Sequence, residues 1–169
     1  ATVYLGTDTK IGRKVAIKTV ALAEEFNDAK LEEARQQFMR EAESAGRLNH
    51  PNIISIYDVG EDNDVSYLAM EYFDGVSLLK HTQQDQLLPA SWVLELMARA
   101  ADALDYAHRQ GVVHRDIKPA NIMYHATSDE LKITDFGIAR LTDTSRTKTG
   151  IILGTPSFMS PEQLTASGV

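Results

Sequence analysis

Two polar motifs in the second half of the chain constrain its fold more than any other feature. Residues 114–121 read His-Arg-Asp-Ile-Lys-Pro-Ala-Asn, and residues 135–137 read Asp-Phe-Gly. Stretches with the composition of short strands, residues 121–124 and 131–134, lie along the same part of the chain. We therefore expect a fold in which short strands bracket two polar loops that carry the chemistry.

The two motifs contain the side chains that phosphoryl transfer to a hydroxyl requires. Asp116 is a candidate proton acceptor, and Asn121 and Asp135 are hard oxygen donors of the type that Mg²⁺ prefers. Lys118 supplies positive charge where a transferring phosphoryl group is negative. The alternative for this region is a salt-bridged surface loop, and an isolated Asp-Phe-Gly is a common turn.

A third motif, Val-Ala-Ile-Lys at residues 15–18, stands upstream of the other two. Lys18 ends an apolar strand, from which a long cation can reach out of the sheet, although a lone lysine there is more typical of a solvated strand end. The three motifs in this order resemble the eukaryotic-type Ser/Thr protein kinases over essentially the whole chain. Details at residues 48–54 and 159–163 most resemble bacterial members of that family.

The resemblance implies a role for each motif residue. Asp116 would orient the substrate hydroxyl and accept its proton, with Lys118 beside the transferring phosphoryl group. Lys118 also makes the pattern similar to Ser/Thr rather than Tyr kinases. Lys18 would contact the α- and β-phosphates of ATP and be held by Glu41 on the following helix, with Glu43 as an alternative on another face of that helix.

The resemblance further implies ATP and Mg²⁺, or Mn²⁺ in its place, with Asn121 and Asp135 as the metal ligands. An adenine-binding site is implied as well, with side chains above and below the ring, a gatekeeper residue, and a backbone segment that hydrogen-bonds the edge of the base. Its residues are Val3 and Ala16 above the ring, Met123 below it, Met70 as gatekeeper, and the backbone from Glu71 to Phe73. Ordinary core packing is the alternative for each of the apolar residues.

By the same resemblance, residues 135–162 form an activation segment. A phosphate on this segment would pair with Arg115 and order it. Thr147 and Thr149 are the expected acceptors, by their position ahead of Thr155. Weaker candidates are Thr142, Thr144 and Ser145.

Composition narrows the partners. The 169 residues carry a formal net charge of −7 and no cysteine, which argues against nucleic-acid binding and excludes disulfides and thiolate zinc sites. No apolar run approaches the length of a membrane span. We expect protein substrates with Ser or Thr acceptors, self-association for phosphorylation in trans, and a cytoplasmic location, with any membrane anchor of the parent protein outside this segment.

The overall expectation is an α+β, two-lobed fold: a small β-sheet N-lobe with one helix, and a mainly helical C-lobe. Strands are predicted at residues 1–6, 14–20, 53–59 and 65–72, and helices at 24–48 and 89–109. The corresponding regions are an N-lobe over 1–70, a hinge over 71–74 and a partial C-lobe over 75–169.

Helical periodicity also predicts which faces are buried. The expected buried residues of the first helix are Leu31, Ala34, Phe38, Ala42, Ala45 and Leu48, and those of the second are Val93, Met97, Ala100, Leu104 and Ala107. Both ends of the sequence look cut, since the Gly-rich phosphate loop of the family is almost wholly absent and the chain stops soon after Glu162. We therefore expect a fragment, truncated at both ends, that exposes apolar surface and is marginally stable.

Two rival functions remain beside an active Ser/Thr protein kinase. A catalytically silent nucleotide-binding or scaffold module would rest on truncation alone, because the residues at Lys18, Asp116 and Asp135 are all present. A small-molecule phosphotransferase of the same architecture is disfavoured by residues 154–162, which resemble a peptide-binding platform.

Overall fold

The N-terminal part of the chain is a four-stranded antiparallel sheet in the order β1-β2-β4-β3. The computed structural model describes residues 1–136 and 158–161. The strands are β1 (Thr2–Asp8), β2 (Arg13–Val20), β3 (Ile56–Asp62) and β4 (Val65–Glu71). The two predicted hairpins are confirmed, but the strand expected from residue 53 begins at Ile56. The reason is that Ile53 forms a single parallel bridge with Ile133 instead of joining the sheet.

The helix predicted over residues 24–48 is interrupted near its start. A short helix, α1 (Leu22–Glu25), is followed by α2 (Asp28–Gly46), and Phe26 and Asn27 between them are extended. The Asn27 carbonyl accepts the first amides of α2, from Lys30 at 2.9 Å and Leu31 at 3.0 Å. Asn27 makes no capping hydrogen bond through its side chain, so the break is marked by the extended backbone at Phe26 and Asn27.

The buried face predicted for α2 is confirmed. Leu31 is partly buried, and the other five expected residues are buried: Ala34, Phe38, Ala42, Ala45 and Leu48. The first three pack on the sheet with Val20, Leu68 and Met70. The last two instead join the core of the C-terminal part. Helix α2 therefore contacts both parts of the fold.

The C-terminal part combines a second antiparallel sheet with one long helix. The three strands β5 (Val76–Ser77), β6 (Ile122–His125) and β7 (Glu130–Ile133) lie in that order, and α3 (Ala90–Arg109) packs on them. Two short 3₁₀ segments, Leu78–Thr82 and Pro119–Asn121, lead out of β5 and into β6. Strands β6 and β7 do not bracket the polar loops as predicted: residues 114–121 lead into β6 and Asp135 follows β7, so the loops lie on either side of the β6–β7 hairpin.

The buried face predicted for α3 is wrong at its N-terminal end. Val93 is 40% exposed and Met97 is 38% exposed, whereas the stripe facing the core is formed by Leu96, Ala100, Ala103 and Ala107. This helix carries more than one apolar stripe, so periodicity alone does not identify the stripe that faces β7. The exposed apolar surface expected of this segment is found on α3, at Val93, Leu94 and Met97. No helix within residues 1–136 and 158–161 is long and apolar enough to cross a membrane.

The connection between α2 and β3 joins the two parts. The Ile54 amide donates to the Ile133 carbonyl at 2.9 Å, and the Ile133 amide donates to the Asn52 carbonyl at 2.8 Å. The Asn49 amide donates to the Tyr106 hydroxyl of α3 at 3.1 Å. These contacts hold the end of β7, and the Asp-Phe-Gly motif after it, close to the N-terminal sheet.

Candidate active site

One face of the N-terminal sheet carries four of the residues predicted for nucleotide binding. In the β1–β2 pairing Val3 lies opposite Lys18, and in the β2–β4 pairing Ala16 lies opposite Met70. Residues directly opposite each other project from the same face, as do residues two apart along a strand. Val3, Ala16, Lys18 and Met70 therefore share a face, with Met70 buried and Val3 exposed.

Lys18 reaches from this face to the second polar motif. Its Nζ atom lies 2.6 Å from Asp135 Oδ1, and the two side chains are 12% and 28% exposed. A cation and a carboxylate that are far apart in sequence thus meet in a partly desolvated position, where their attraction is less screened than at the surface.

The predicted support for Lys18 from Glu41 remains a prediction. In the described part of the chain, the carboxylate that contacts Lys18 is Asp135. The Glu41 Oε1 atom accepts a hydrogen bond from Gln37 Nε2 at 3.0 Å, within α2. Glu41 is half-buried and lies on the helix that packs against the sheet bearing Lys18.

Asp116 is the centre of a second charged group. Lys118 Nζ lies 2.8 Å from Asp116 Oδ2. Asn121 Nδ2 donates to the same oxygen at 2.8 Å and to the Asp116 carbonyl at 2.8 Å. Because two acceptors fix the position of the Asn121 nitrogen, its Oδ1 atom is left as an acceptor, the role required of a metal ligand.

The donor set fits Mg²⁺ in its usual manner of binding. Across residues 1–136 and 158–161 there is no group of three or more His, Cys, Asp or Glu side chains that could hold a metal by themselves. Mg²⁺ characteristically takes one or two protein oxygens and fills its remaining positions with water and phosphate oxygens. Asn121 and Asp135 provide such a pair.

Two residues of the motifs have backbones in the left-handed region. The φ angle is +67° at Arg115 and +64° at Asp135. This conformation costs a non-glycine residue about 1–3 kcal/mol, and such residues concentrate at functional sites. At Asp135 the contact with Lys18 helps to offset that cost.

His114 connects the two loops from below. Its Nε2 atom lies 2.7 Å from the Thr134 carbonyl, and its Nδ1 atom accepts from the Asp116 amide at 3.2 Å. Nε2 therefore carries the proton and donates, and the ring is neutral. Burial lowers the pKa of His114 below its usual value, because desolvation disfavours the imidazolium.

Phe136 packs beneath this network. It is buried, and its ring lies 4.6 Å from the His114 ring, centroid to centroid. The Thr134 amide also donates to the Asn121 carbonyl at 2.9 Å. Side-chain packing and backbone hydrogen bonds together fix Asp135 relative to the loop that bears Asp116.

The backbone segment predicted to contact adenine begins at Glu71, where β4 ends. Two contacts of Glu71 were not predicted. The Glu71 amide donates to the Ser55 carbonyl at 2.8 Å, so only the Glu71 carbonyl is left to contact a base. The Glu71 carboxylate pairs with Lys132 of β7 at 2.8 Å. Met123, the predicted floor of the site, lies opposite Lys132 in the β6–β7 pairing. Phe73 is partly buried beyond Glu71.

Sequence reasoning missed Lys132 and Ser77. The alternation Leu131-Lys132-Ile133 indicates that Lys132 lies on the face opposite the buried residues, but not which carboxylate it meets. Ser77 Oγ donates toward the Pro119 carbonyl at 3.0 Å and the Ala120 carbonyl at 3.2 Å, between Lys118 and Asn121. No sequence signal links a serine of β5 to that loop.

Several predicted residues lie outside the described part of the chain. They are Gly137, the phosphorylation candidates Thr147 and Thr149, the weaker candidates Thr142, Thr144 and Ser145, and also Thr155 and Glu162.

Comparison with known proteins places this arrangement in one family. The family model described as "Protein kinase domain" matches residues 1–169. The serine/threonine-protein kinase PrkC of Bacillus subtilis is 42% identical over 164 residues, covering 96% of this chain and 24% of that protein. The serine/threonine-protein kinase PknB of Mycobacterium leprae is 40% identical over 173 residues, covering 99% of this chain and 27% of that protein.

Solved structures agree with the sequence relatives. The crystal structure of the Mycobacterium tuberculosis PknI kinase domain is similar with a TM-score of 0.75 and 33% identity, covering 99% of this chain and 61% of that one. The chain spans about a quarter of the length of the curated relatives it matches. Those relatives are bacterial, in agreement with the resemblance of residues 48–54 and 159–163.

Proposed function

Because this chain belongs to the protein kinase domain family, with bacterial serine/threonine-protein kinases among its relatives, we propose that it transfers the γ-phosphoryl group of ATP to Ser and Thr hydroxyls of proteins. The observation that carries the proposal is the pairing of the motif residues. Asp116 contacts Lys118 and Asn121, while Asp135 contacts Lys18 across the two parts of the fold.

Asp116 is the catalytic residue on the side of the protein substrate. Its carboxylate orients the incoming hydroxyl and accepts the proton as the new O–P bond forms and the bond from the γ-phosphorus to the bridging oxygen breaks, with ADP as the leaving group. Lys118 lies within 2.8 Å of that carboxylate, so its charge also reaches the transferring group. Asn121 fixes the Asp116 side chain, which limits its rotation away from the hydroxyl.

The nucleotide would lie along the face that bears Val3, Ala16, Lys18 and Met70, with Met123 beneath the base. Lys18 would share its donors between Asp135 and the α- and β-phosphates, with Glu41 as the second carboxylate that holds it. Asn121 Oδ1 and Asp135 would hold Mg²⁺, or Mn²⁺. When bound, the metal neutralises the phosphate charge that develops during transfer.

The family membership also supports proposals about activation by phosphorylation, about partners and about cellular location. Thr147 and Thr149 are the acceptors through which phosphorylation by a second copy would activate the chain, with Arg115 receiving the phosphate. The partners are proteins with Ser or Thr acceptors, and the use of ATP favours a cytoplasmic location. A membrane or nucleic-acid partner finds no support in the composition of this segment.

Intact-mass spectrometry after incubation with Mg-ATP tests the proposal. We expect the chain to gain phosphate at Thr147 or Thr149, and Asp116→Asn to gain none, because the amide cannot accept the hydroxyl proton. The matched control is Asp105→Asn, which changes an exposed α3 carboxylate paired with Arg109 and should leave the mass gain intact.

The mass spectra also distinguish an active kinase from a catalytically silent module. A silent nucleotide-binding or scaffold module would gain no phosphate in any variant and would still bind Mg-ADP. Equal phosphate gain in the chain and in Asp116→Asn would exclude Asp116 as the proton acceptor.

A further inference from the structure

The Glu71 carboxylate makes three contacts with two donor groups where the N-terminal sheet ends. Lys132 Nζ lies 2.8 Å from Oε1 and 3.0 Å from Oε2, and the Ser55 amide donates to Oε2 at 3.1 Å. The side chains of Lys132 and Glu71 are 12% and 23% exposed. The contact is therefore a partly desolvated, charge-assisted pair rather than a solvated surface ion pair.

The Glu71–Lys132 pair joins the end of β4 to β7, two segments with different proposed roles in nucleotide binding. Glu71 ends β4 directly after Met70 and opens the backbone segment proposed to contact the adenine edge. Lys132 lies on β7, the strand that leads into Asp135, and faces the same side as Met123. One ion pair thus connects the proposed edge of the base site to its floor and to the strand that presents the metal ligand.

From this geometry, and resting on the proposed function, we propose that Lys132 is a positioning residue for the nucleotide base. Through Glu71 it fixes the backbone of residues 71–73 at the height of Met123. Lys132 does not contact the reacting atoms in this role. It sets the distance between the base edge and the strand that carries Asp135.

The physical argument concerns what remains when Lys132 is removed. The Glu71 carboxylate would keep the Ser55 amide but lose its compensating charge, and a partly buried carboxylate then recruits water or turns outward. When the carboxylate turns outward, its hydrogen bond from the Ser55 amide breaks as well, and the Glu71 amide bound to the Ser55 carbonyl is left as the remaining link between Ser55 and Glu71, so the end of β4 is held less firmly. The base edge shifts with it, while Lys18 and Asp116 keep their own contacts.

The test compares Lys132→Met, which keeps the length of the apolar stem, with Lys30→Met on the exposed surface of α2. Affinities for Mg-ADP and Mg-GDP are measured by calorimetry on the full chain. We expect Lys132→Met to weaken Mg-ADP binding by about fivefold to tenfold, the effect of losing one neutral hydrogen bond at the base edge, with little change for Mg-GDP. The preference for adenine over guanine should therefore narrow.

A second variant separates positioning from simple destabilisation. Glu71→Gln keeps an oxygen for the Ser55 amide and removes the charge that Lys132 balances. Adding Lys132→Met to Glu71→Gln should then cost less than about a twofold further loss of Mg-ADP affinity, since interacting residues are not additive. Full additivity of the two substitutions would overturn the proposal.

The remaining outcomes are equally decisive. If Lys132→Met lowers the melting temperature but leaves the ADP-to-GDP ratio unchanged, Lys132 is structural and the proposal fails while the proposed function stands. If the unchanged chain binds neither nucleotide, the proposed function and this role fall together. If the ratio of Mg-ADP to Mg-GDP affinity narrows in Lys132→Met but not in Lys30→Met, the positioning role is supported.

Discussion

The buried His114 ring has both of its nitrogen atoms committed to backbone groups. Nε2 donates to the Thr134 carbonyl and Nδ1 accepts from the Asp116 amide. Protonation would place a second donor against the Asp116 amide and a charge in a buried position beside Phe136. The ring is therefore a structural link between the catalytic loop and β7 that works only in its neutral form.

The lowered pKa of His114 predicts a loss of stability in mild acid. The unfolded chain binds a proton at the ordinary histidine pKa of about 6.5, whereas the folded chain does so only at lower pH. The stabilisation is thus complete above about pH 6.5 and declines as the pH falls toward the folded pKa, because the unfolded state then binds more protons.

Urea unfolding at pH 7.5 and pH 5.5 measures this effect. The free energy of unfolding of the chain should fall more steeply with acidification than that of His114→Gln, by at most about 1.4 kcal/mol per pH unit. His108→Gln, at an exposed position on α3, is the control and should follow the unchanged chain. Parallel slopes for the chain and His114→Gln would contradict the prediction.

At the scale of elements, the hinge after β4 depends on a close approach at Gly75. A Cβ atom there would lie 2.8 Å from Phe73 Cδ1 and 3.0 Å from the Tyr124 carbonyl oxygen. The Phe73 ring also meets His125 edge-on, with centroids 6.4 Å apart. Gly75 thus lets the hinge pack directly on β6.

Gly75→Ala should displace Phe73 and the backbone proposed to contact adenine. We expect the KM for ATP to rise by about threefold to tenfold, with a smaller effect on kcat, because the added methyl group disturbs base binding and not the groups around Asp116. Steady-state kinetics on a peptide substrate measures both constants.

Gly46→Ala is the matched control for this substitution. Its Cβ would have its nearest neighbour at 3.9 Å, in ordinary contact with Ile56, so the KM for ATP should not change. A KM for Gly75→Ala equal to that of the unchanged chain would mean that the hinge accommodates the methyl group without moving Phe73.

Over the whole molecule, two apolar cores meet at α2, which contributes residues to both of them. Ala34, Phe38 and Ala42 belong to the core under the N-terminal sheet, whereas Ala45 and Leu48 belong to the core around α3. The connection after α2 is bound to β7. Helix α2 and the connection after it therefore link the two cores directly.

The exposed side of α3 gives a prediction at this scale. Val93, Leu94 and Met97 lie within one or two turns of each other and are 40%, 72% and 38% exposed. Contiguous apolar surface of this kind binds hydrophobic dyes. A fluorescent dye titration should give more signal than a compact protein of similar size, and Leu94→Gln should reduce it.

Leu87→Gln is the control, because Leu87 is 62% exposed in the loop that precedes α3. It should reduce the dye signal less than Leu94→Gln, since it does not lie within the α3 surface. A signal no higher than that of the compact protein would refute the prediction.

The sequence by itself determined the strands of the first sheet, the two long helices, the motif order and the family, because these depend on local periodicity and on residue types at fixed spacings. It also predicted the buried face of α2, whose apolar residues form a single stripe. It could not choose between the stripes of α3, since that choice depends on which side meets β7.

Tertiary structure alone decided which charges meet. Lys18 contacts Asp135, and Lys132 contacts Glu71, across long separations in sequence. Such pairs depend on how strands from different sheets are brought together by the α2–β3 connection. Strand alternation gives the face on which a lysine lies, but the position of its partner is fixed only when the two lobes pack.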